Sequence, residues 1–231
     1  MLDNELERVR ALRKRYLEGD KRVKEAVTNI SHDLRTPLTA VKGYVELLEK
    51  SGLSEEQQGW LKIIKRRTAE LSALTEELFR YAVTASGELE LNREEVSINE
   101  ILQECLISFY ATFKEKGIEP VSAICERKVI RSTDRNALFR IFSNIVSNAL
   151  KYAEKDFSVS LREDGLICFS NRAEALTKLD VEHLFDRYFT VKNNSNSTGL
   201  GLSIARLLSE KLGFSIAAIH QNGELKIVMK V

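Results

Sequence analysis

The sequence predicts an α+β chain: a long antiparallel helical hairpin that pairs with a second copy as a four-helix bundle, followed by a mixed domain of strands and helices. Three observations predict it. Apolar residues recur at 3–4 spacing through the first 86 residues. Ser51-Gly52 interrupts that helical stretch. After Ser86-Gly87 the period changes, and short strand-like runs alternate with helices.

In the first helix the stripe runs Leu2, Leu6, Val9, Tyr16, Val23, Val27, Ile30, Leu34, Val41, Tyr44 and Leu48, weakened by Arg13 and Asp20 in the same seam. Residues 1–20 read as a linker helix that enters a hairpin at 21–87. Ser54-Glu55-Glu56-Gln57 starts the second helix: an N-cap serine with glutamine three residues on makes a capping box. That helix runs to about Ala85, with Leu61, Ile64, Leu71, Leu74, Leu78 and Tyr81 on its apolar side. One hairpin cannot bury both stripes, whereas two copies in a four-helix bundle do.

Residues 88–231 read as a second domain. Helices are expected at 98–116, 135–153 and 200–212. Strands are expected at Val159–Leu161, Leu166–Phe169, Ser215–Ile219 and Leu225–Val231. Gln221-Asn222-Gly223-Glu224 is an Asn-Gly hairpin signal.

Composition narrows the function. The 231 residues are 43% apolar and 30% charged, which excludes a disordered or fibrous chain. Lys plus Arg number 35 against 34 Asp plus Glu, so no basic field points to a nucleic-acid partner. Aromatics are 7%, with a single Trp60, which suggests no stacking platform. Cys105, Cys125 and Cys168 are odd in number and lack metal-ligand spacing, so they read as buried thiols in a reducing compartment. No apolar run approaches the roughly 20 residues of a membrane span, and Met1-Leu2-Asp3-Asn4-Glu5 is no signal peptide. The stretch as given is expected to be cytoplasmic.

Three constellations carry chemistry. In Ser31-His32-Asp33-Leu34-Arg35-Thr36-Pro37-Leu38, His32 lies off the apolar stripe and faces solvent. Arg35 and Thr36 follow at i+3 and i+4, on the same face. Pro37 has no amide to donate and crowds the carbonyl of Asp33, which predicts a kink or loosened turn beside the histidine. A lone histidine there would be a solvated incidental residue; the adjoining carboxylate and interior proline argue otherwise. In Asn144-Ile145-Val146-Ser147-Asn148-Ala149-Leu150-Lys151-Tyr152, the polar residues Asn144, Asn148 and Lys151 form one stripe on an apolar helix. In Ser197-Thr198-Gly199-Leu200-Gly201-Leu202, glycines precede a helix closed by Gly213; there, backbone amides and the helix N-terminus favour phosphate.

The octet resembles the phosphoacceptor box of bacterial sensor histidine kinases, Ser-His-Glu/Asp-Leu-Arg-Thr-Pro-Leu. The second string resembles the N box, and the third the second glycine box, of the ATP-binding domain those kinases share with type II topoisomerases, Hsp90 and MutL. Leu184-Phe185-Asp186-Arg187-Tyr188-Phe189 resembles the F box, and the nine residues Thr190 to Thr198 then form a short ATP lid. The boxes fall in the family's order. The resemblance implies a two-component sensor histidine kinase core whose second domain is an α/β-sandwich that binds ATP and Mg²⁺. His32 becomes the phosphorylated nucleophile, with Asp33, Arg35 and Thr36 beside it. Asp33 becomes the acid/base partner, and Thr36 orients water when a phosphorylated partner is dephosphorylated. Asn148 holds Mg²⁺ through its carbonyl oxygen, Lys151 contacts phosphate, and Tyr152 packs on adenine. Asn144 takes the place where non-kinase members carry a water-activating Glu, which favours phosphotransfer over hydrolysis. Phe185, Arg187, Phe189, Thr198, Gly199, Leu200 and Gly201 complete the nucleotide site.

One box departs. The family usually carries Asp-x-Gly-x-Gly after a strand, its Asp accepting from the adenine amino group. Here Ser170-Asn171-Arg172-Ala173-Glu174-Ala175 follows Leu166–Phe169. Asn171 keeps a carbonyl acceptor and loses the charge. The implied partners are a second copy of the chain and a cognate response regulator, with no nucleic acid. A membrane-spanning sensor precedes most such cores and would anchor the full-length protein in the bacterial cell membrane. Two rival readings are a kinase-impaired core acting mainly as a regulator phosphatase, suggested by the lost glycines, and a non-catalytic dimeric scaffold, suggested by the heptads alone. His183 and His220 read as structural.

Overall fold

The computed structural model describes residues 30, 33–86, 91–152, 156–190 and 199–231. The chain divides into two compact units, Met1–Leu89 and Glu90–Val231. In the first, α1 is helical over 33–49 and α2 spans Glu55–Ser86. The stripe before residue 30 and the linker helix at 1–20 lie outside the described residues. The capping box forms as expected: Gln57 N–H donates to Ser54 Oγ at 3.3 Å, and Ser54 N–H donates to Gln57 Oε1 at 2.9 Å. Two ion pairs fix the antiparallel register, Arg35–Glu76 at 2.9 Å and Lys65–Glu49 at 2.7 Å. Each is exposed and contributes roughly 0.2–1 kcal/mol. Val45, Leu61, Thr68 and Thr75 are buried. Leu34, Val41, Tyr44 and Leu48 of α1, and Ile64, Leu71 and Leu74 of α2, stay exposed in the single chain, as the stripe argument requires.

The second unit contains β1 (Glu94–Ser97), α3 (Ile98–Ser108), α4 (Tyr110–Lys116), β2 (Glu119–Ile124), β3 (Ile130–Thr133), α5 (Arg135–Tyr152) and β4 (Asp156–Leu161). It continues with β5 (Leu166–Arg172), α6 (Lys178–Glu182), α7 (Gly201–Leu212), β6 (Ser215–Gln221) and β7 (Glu224–Lys230). Strands β1 and β3 pair antiparallel. The other five form one sheet in the order β2-β4-β5-β7-β6, with β2 parallel to β4 and the rest antiparallel. Helix α5 packs between α3 and α7 and against β5. Its Phe142 ring lies 5.8 Å from that of Phe169, and Phe113 of α4 lies 5.2 Å from Phe157 of β4. Each such ring contributes about 1.5–3 kcal/mol by leaving water. Along β4 and β7, and along β5 as far as Phe169, the buried residues alternate with less buried ones, so one sheet face is covered by helices.

Helix α5 is capped by Asp134, whose Oδ1 accepts from Ala137 N–H at 2.7 Å. The Asn-Gly hairpin forms between β6 and β7, with φ of 53° at Asn222 and 76° at Gly223. The helix predicted over 98–116 is two, broken at Phe109. Ser108 Oγ donates to the Cys105 carbonyl at 2.6 Å, a side-chain bond that competes with the helical ladder at that turn. The thiols also differ in part: Cys105 is buried, but Cys125 and Cys168 are only half-buried. Burial pushes the Cys105 thiol up to about 11.

Candidate active site

His32 lies outside the described residues, so the site in the first unit is built from its neighbours. Asp33, Arg35, Thr36 and Pro37 are all exposed on α1. The helix runs unbroken through Pro37, over 33–49. Two residues on, Thr39 Oγ1 donates to the Arg35 carbonyl at 2.9 Å, the i−4 bond of a helical threonine. Arg35 is turned onto α2: its guanidinium meets Glu76 at 2.9 Å and lies 4.7 Å from the centre of the Phe79 ring. Arg35 therefore braces the turn after His32 against the second helix. Spacing alone placed it beside His32 and gave no sign of this contact.

The second unit carries the remaining described candidates on α5, on β5, in the F box and at the start of α7. Buried Leu138, Ile141, Phe142, Ile145, Val146, Ala149 and Leu150 seat α5 in the core. That leaves Asn144, Asn148 and Tyr152 half-buried and Lys151 exposed. Asn144 Nδ2 is buried and has no hydrogen-bond partner among the described residues. Such a group is costly to leave unmet and marks a place for a ligand or water acceptor. Lys116 Nζ donates to the Leu150 carbonyl at 2.6 Å, placing a cation at the last turn of α5 where the helix dipole favours one.

Helix α7 packs on α5 and begins at Gly201, after the buried Leu200; among the described residues no side-chain hydrogen bond caps its first turn. A helix start of this kind points its leading amides outward, where an anion is favoured. Gly199 has φ of 67°, and a Cβ there would lie 2.6 Å from the Phe189 carbonyl oxygen. Tyr188, with φ of 62°, donates its N–H to the Gly199 carbonyl at 3.2 Å. The F box and the glycine box are joined backbone to backbone. Phe185 is half-buried with the Arg206 guanidinium 5.9 Å from its ring centre, Phe189 is half-buried, and Arg187 is exposed. Thr198 and the lid from 191 lie outside the described residues. Next to the F box, His183 Nδ1 lies 2.6 Å from Asp186 Oδ2, and that hydrogen bond raises the imidazole pKa above its ordinary value.

Asn171 is 4% exposed. It shares its face of β5 with Ile167 and Phe169, the covered face. Asn171 Nδ2 donates to the Arg172 carbonyl at 2.9 Å. A flipped amide would set two acceptors against each other, so the orientation is fixed and Oδ1 points away from that carbonyl.

Among the described residues no three His, Cys, Asp or Glu side chains gather as a metal site. Asn148 offers one hard carbonyl oxygen, which fits Mg²⁺ only when phosphate and water supply the other ligands. No helix among the described residues is long and apolar enough to cross a membrane.

A helical hairpin bearing a histidine box, followed along the chain by a domain whose N box and glycine-led helix pack on one sheet, is the arrangement of a phosphotransfer protein with a nucleotide-binding domain. Comparison with known proteins agrees. Residues 22–84 match the family model of the His Kinase A phospho-acceptor domain, and residues 133–230 match that of the histidine kinase-, DNA gyrase B- and HSP90-like ATPase. Sensor histidine kinase YcbM of Bacillus subtilis is 29% identical over 86% of this chain and 67% of its own length. Sensor histidine kinase WalK of the same organism is 30% identical over 89% of this chain and 36% of its own. Full-length ShkA, solved in complex with AMPPNP, shares the fold at a TM-score of 0.75 with 23% identity, over 90% of this chain and 45% of that one. The chain belongs to the two-component sensor histidine kinases and carries their catalytic core. It spans between about a third and two thirds of the length of these relatives.

Proposed function

We propose that this core transfers the γ-phosphoryl group of ATP to His32 and then to an aspartate of a response regulator. The observation that carries the reading is the single sheet face that gathers α5, the start of α7 and Asn171, with the buried Asn144 Nδ2 awaiting a partner. Residues 21–87 serve as the dimerisation and phosphotransfer domain and residues 88–231 as the ATP-binding domain.

One ring nitrogen of neutral His32 attacks the γ-phosphorus as the bond to the bridging oxygen breaks and ADP leaves. The carboxylate of Asp33 holds the proton on the other nitrogen and offsets the growing cation. Asn148 would hold Mg²⁺ through its carbonyl oxygen, and the bound ion would offset charge on the nucleotide phosphates. Lys151 stabilises negative charge on the phosphate. The amides at the start of α7, with Thr198, Gly199 and Gly201, cradle the phosphates. Tyr152 packs on the base, Asn171 Oδ1 accepts from its amino group, and Phe185, Arg187 and Phe189 frame the site. Asn144 has no carboxylate with which to activate water, which favours transfer over hydrolysis.

Thr36 orients a water when the core dephosphorylates its regulator. A Thr36→Ala core that dephosphorylates the regulator at the normal rate rules this out. A second copy of the chain completes the helical bundle. The core works on the cytoplasmic side, and sequence outside this stretch anchors it; fractionation of the full-length protein tests that placement.

The nucleotide assignment is tested by Asn148→Asp and Lys151→Ala. Each should reduce autophosphorylation by at least about 10²-fold, the usual scale for removing one preorganised charge-stabilising group. Near-normal labelling in both variants places the nucleotide elsewhere.

A further inference from the structure

We infer that His220 is a positioning residue for purine recognition: with the Gly223 carbonyl it clamps the Ala173 peptide and so fixes the amide of Asn171. The inference rests on the reading of Asn171 as the acceptor for the adenine amino group.

The segment after Asn171 lacks the glycines expected there, yet it is held at each step. Arg172 N–H donates to both carboxylate oxygens of Asp156, at 2.9 and 3.1 Å. The next peptide group carries two bonds. Its carbonyl, that of Arg172, accepts from Asn171 Nδ2, and its N–H, that of Ala173, donates to the Gly223 carbonyl at 2.8 Å. The group that orients the Asn171 amide is thus itself tied to the β6–β7 hairpin. His220 then shares the following carbonyl with the backbone: its Nε2 lies 3.1 Å from Ala173 O, to which Leu176 N–H also donates at 3.1 Å, and it ties that turn to β6. Because that partner is a carbonyl, Nε2 carries the proton and donates.

Register makes the reach possible. His220 pairs with Leu225, and Leu225 pairs with Asn171, so the three stand in one row across β6, β7 and β5. Residues directly opposite in antiparallel strands share a face, so His220 and Asn171 lie on the same side of the sheet. The tight Asn222-Gly223 turn aims the Gly223 carbonyl at Ala173. A Cβ on Gly223 would come within 3.1 Å of Glu174 Cγ, so the turn sits directly against this segment. Ala173 is 5% exposed, which shields both bonds from water. A fixed hairpin here does for the adenine-facing strand end what a glycine-rich turn does elsewhere by conformation.

The test compares ADP with inosine diphosphate, which differ on the 6-amino edge of the purine, by calorimetric titration of the full chain with Mg²⁺. One neutral hydrogen bond corresponds to a preference for ADP of about two- to twelve-fold. His220→Leu and the shorter His220→Asn should each cut the wild-type preference at least in half while leaving inosine diphosphate affinity within about two-fold. His220→Gln, whose amide reaches the Nε2 position, should keep the preference. Asn171→Ala serves as the reference that removes the acceptor. Wild-type preference in both His220→Leu and His220→Asn, with the preference lost in Asn171→Ala, overturns the clamp alone. Preference retained in Asn171→Ala overturns the adenine reading of Asn171, and the clamp with it.

Discussion

Asn171 shows how a single contact can reverse an expectation drawn from residue types. From the sequence, Asp at 171 is the stronger acceptor and should preserve or tighten nucleotide binding. In the fold the amide of Asn171 donates to the Arg172 carbonyl at 2.9 Å. A carboxylate there would set like partial charges together in a buried place. Asn171→Asp should therefore bind ADP more weakly than the native chain, by about five-fold, or ~1 kcal/mol. Asn171→Ala should be weaker by a comparable factor. Calorimetric titration of the three proteins decides it, and tighter binding by Asn171→Asp would show that the amide bond to Arg172 has no bearing on the site. The sequence showed that 171 was the unusual position. It could not show the sign, because the sign depends on a peptide group one residue away and on a hairpin about fifty residues downstream.

At the scale of elements, legibility followed pattern length. The capping box at Ser54, the Asn-Gly hairpin and helices α5 and α7 each carry a local signal that the fold obeys. Strands β1 and β3 have four residues each, too few for a period to emerge, and β2 is an edge strand exposed along nearly its whole length, so it shows no alternation. The joint between the F box and the glycine box was half legible: both strings were visible, but not that their backbones touch. Gly199 is where this matters. Its φ is 67°, and a Cβ would strike the Tyr188–Phe189 backbone at 2.6 Å, where no flexible side chain can yield. Gly199→Ala should destabilise the second unit by on the order of 1–3 kcal/mol and weaken ADP binding in proportion to the displaced helix start. Urea unfolding and nucleotide titration measure both. Native stability in the variant would mean that the joint relaxes freely and does not set the start of α7.

At the scale of the whole molecule, the stripe on the hairpin leaves several large apolar side chains exposed among the described residues. Leu71 and Leu74 on α2 are 49% and 41% exposed in the single chain, and Leu34 and Leu48 on α1 are 42% and 48% exposed. Covering them in a second copy gains about 1.5–3 kcal/mol for each side chain fully buried. The chain should sediment as a dimer. Leu71→Glu, which would place a charge in that seam, should shift it to monomer while the second unit keeps its nucleotide affinity. A monomeric native chain at tens of micromolar would contradict the bundle.

The central claim is that ATP bound in the second unit phosphorylates His32 of the first. Its most direct test is to incubate the chain with γ-labelled ATP and Mg²⁺ and follow the label on the protein through acid and alkali, beside His32→Gln. The account predicts label that is lost in acid and kept in alkali, as a phosphorus–nitrogen bond requires. It also predicts none on His32→Gln, which should still bind ADP as the native chain does, because the sequence sets residue 32 off the apolar stripe and a substitution off the core changes stability by no more than about 0.5 kcal/mol. Acid-stable label, or label at the native level on His32→Gln, would contradict it.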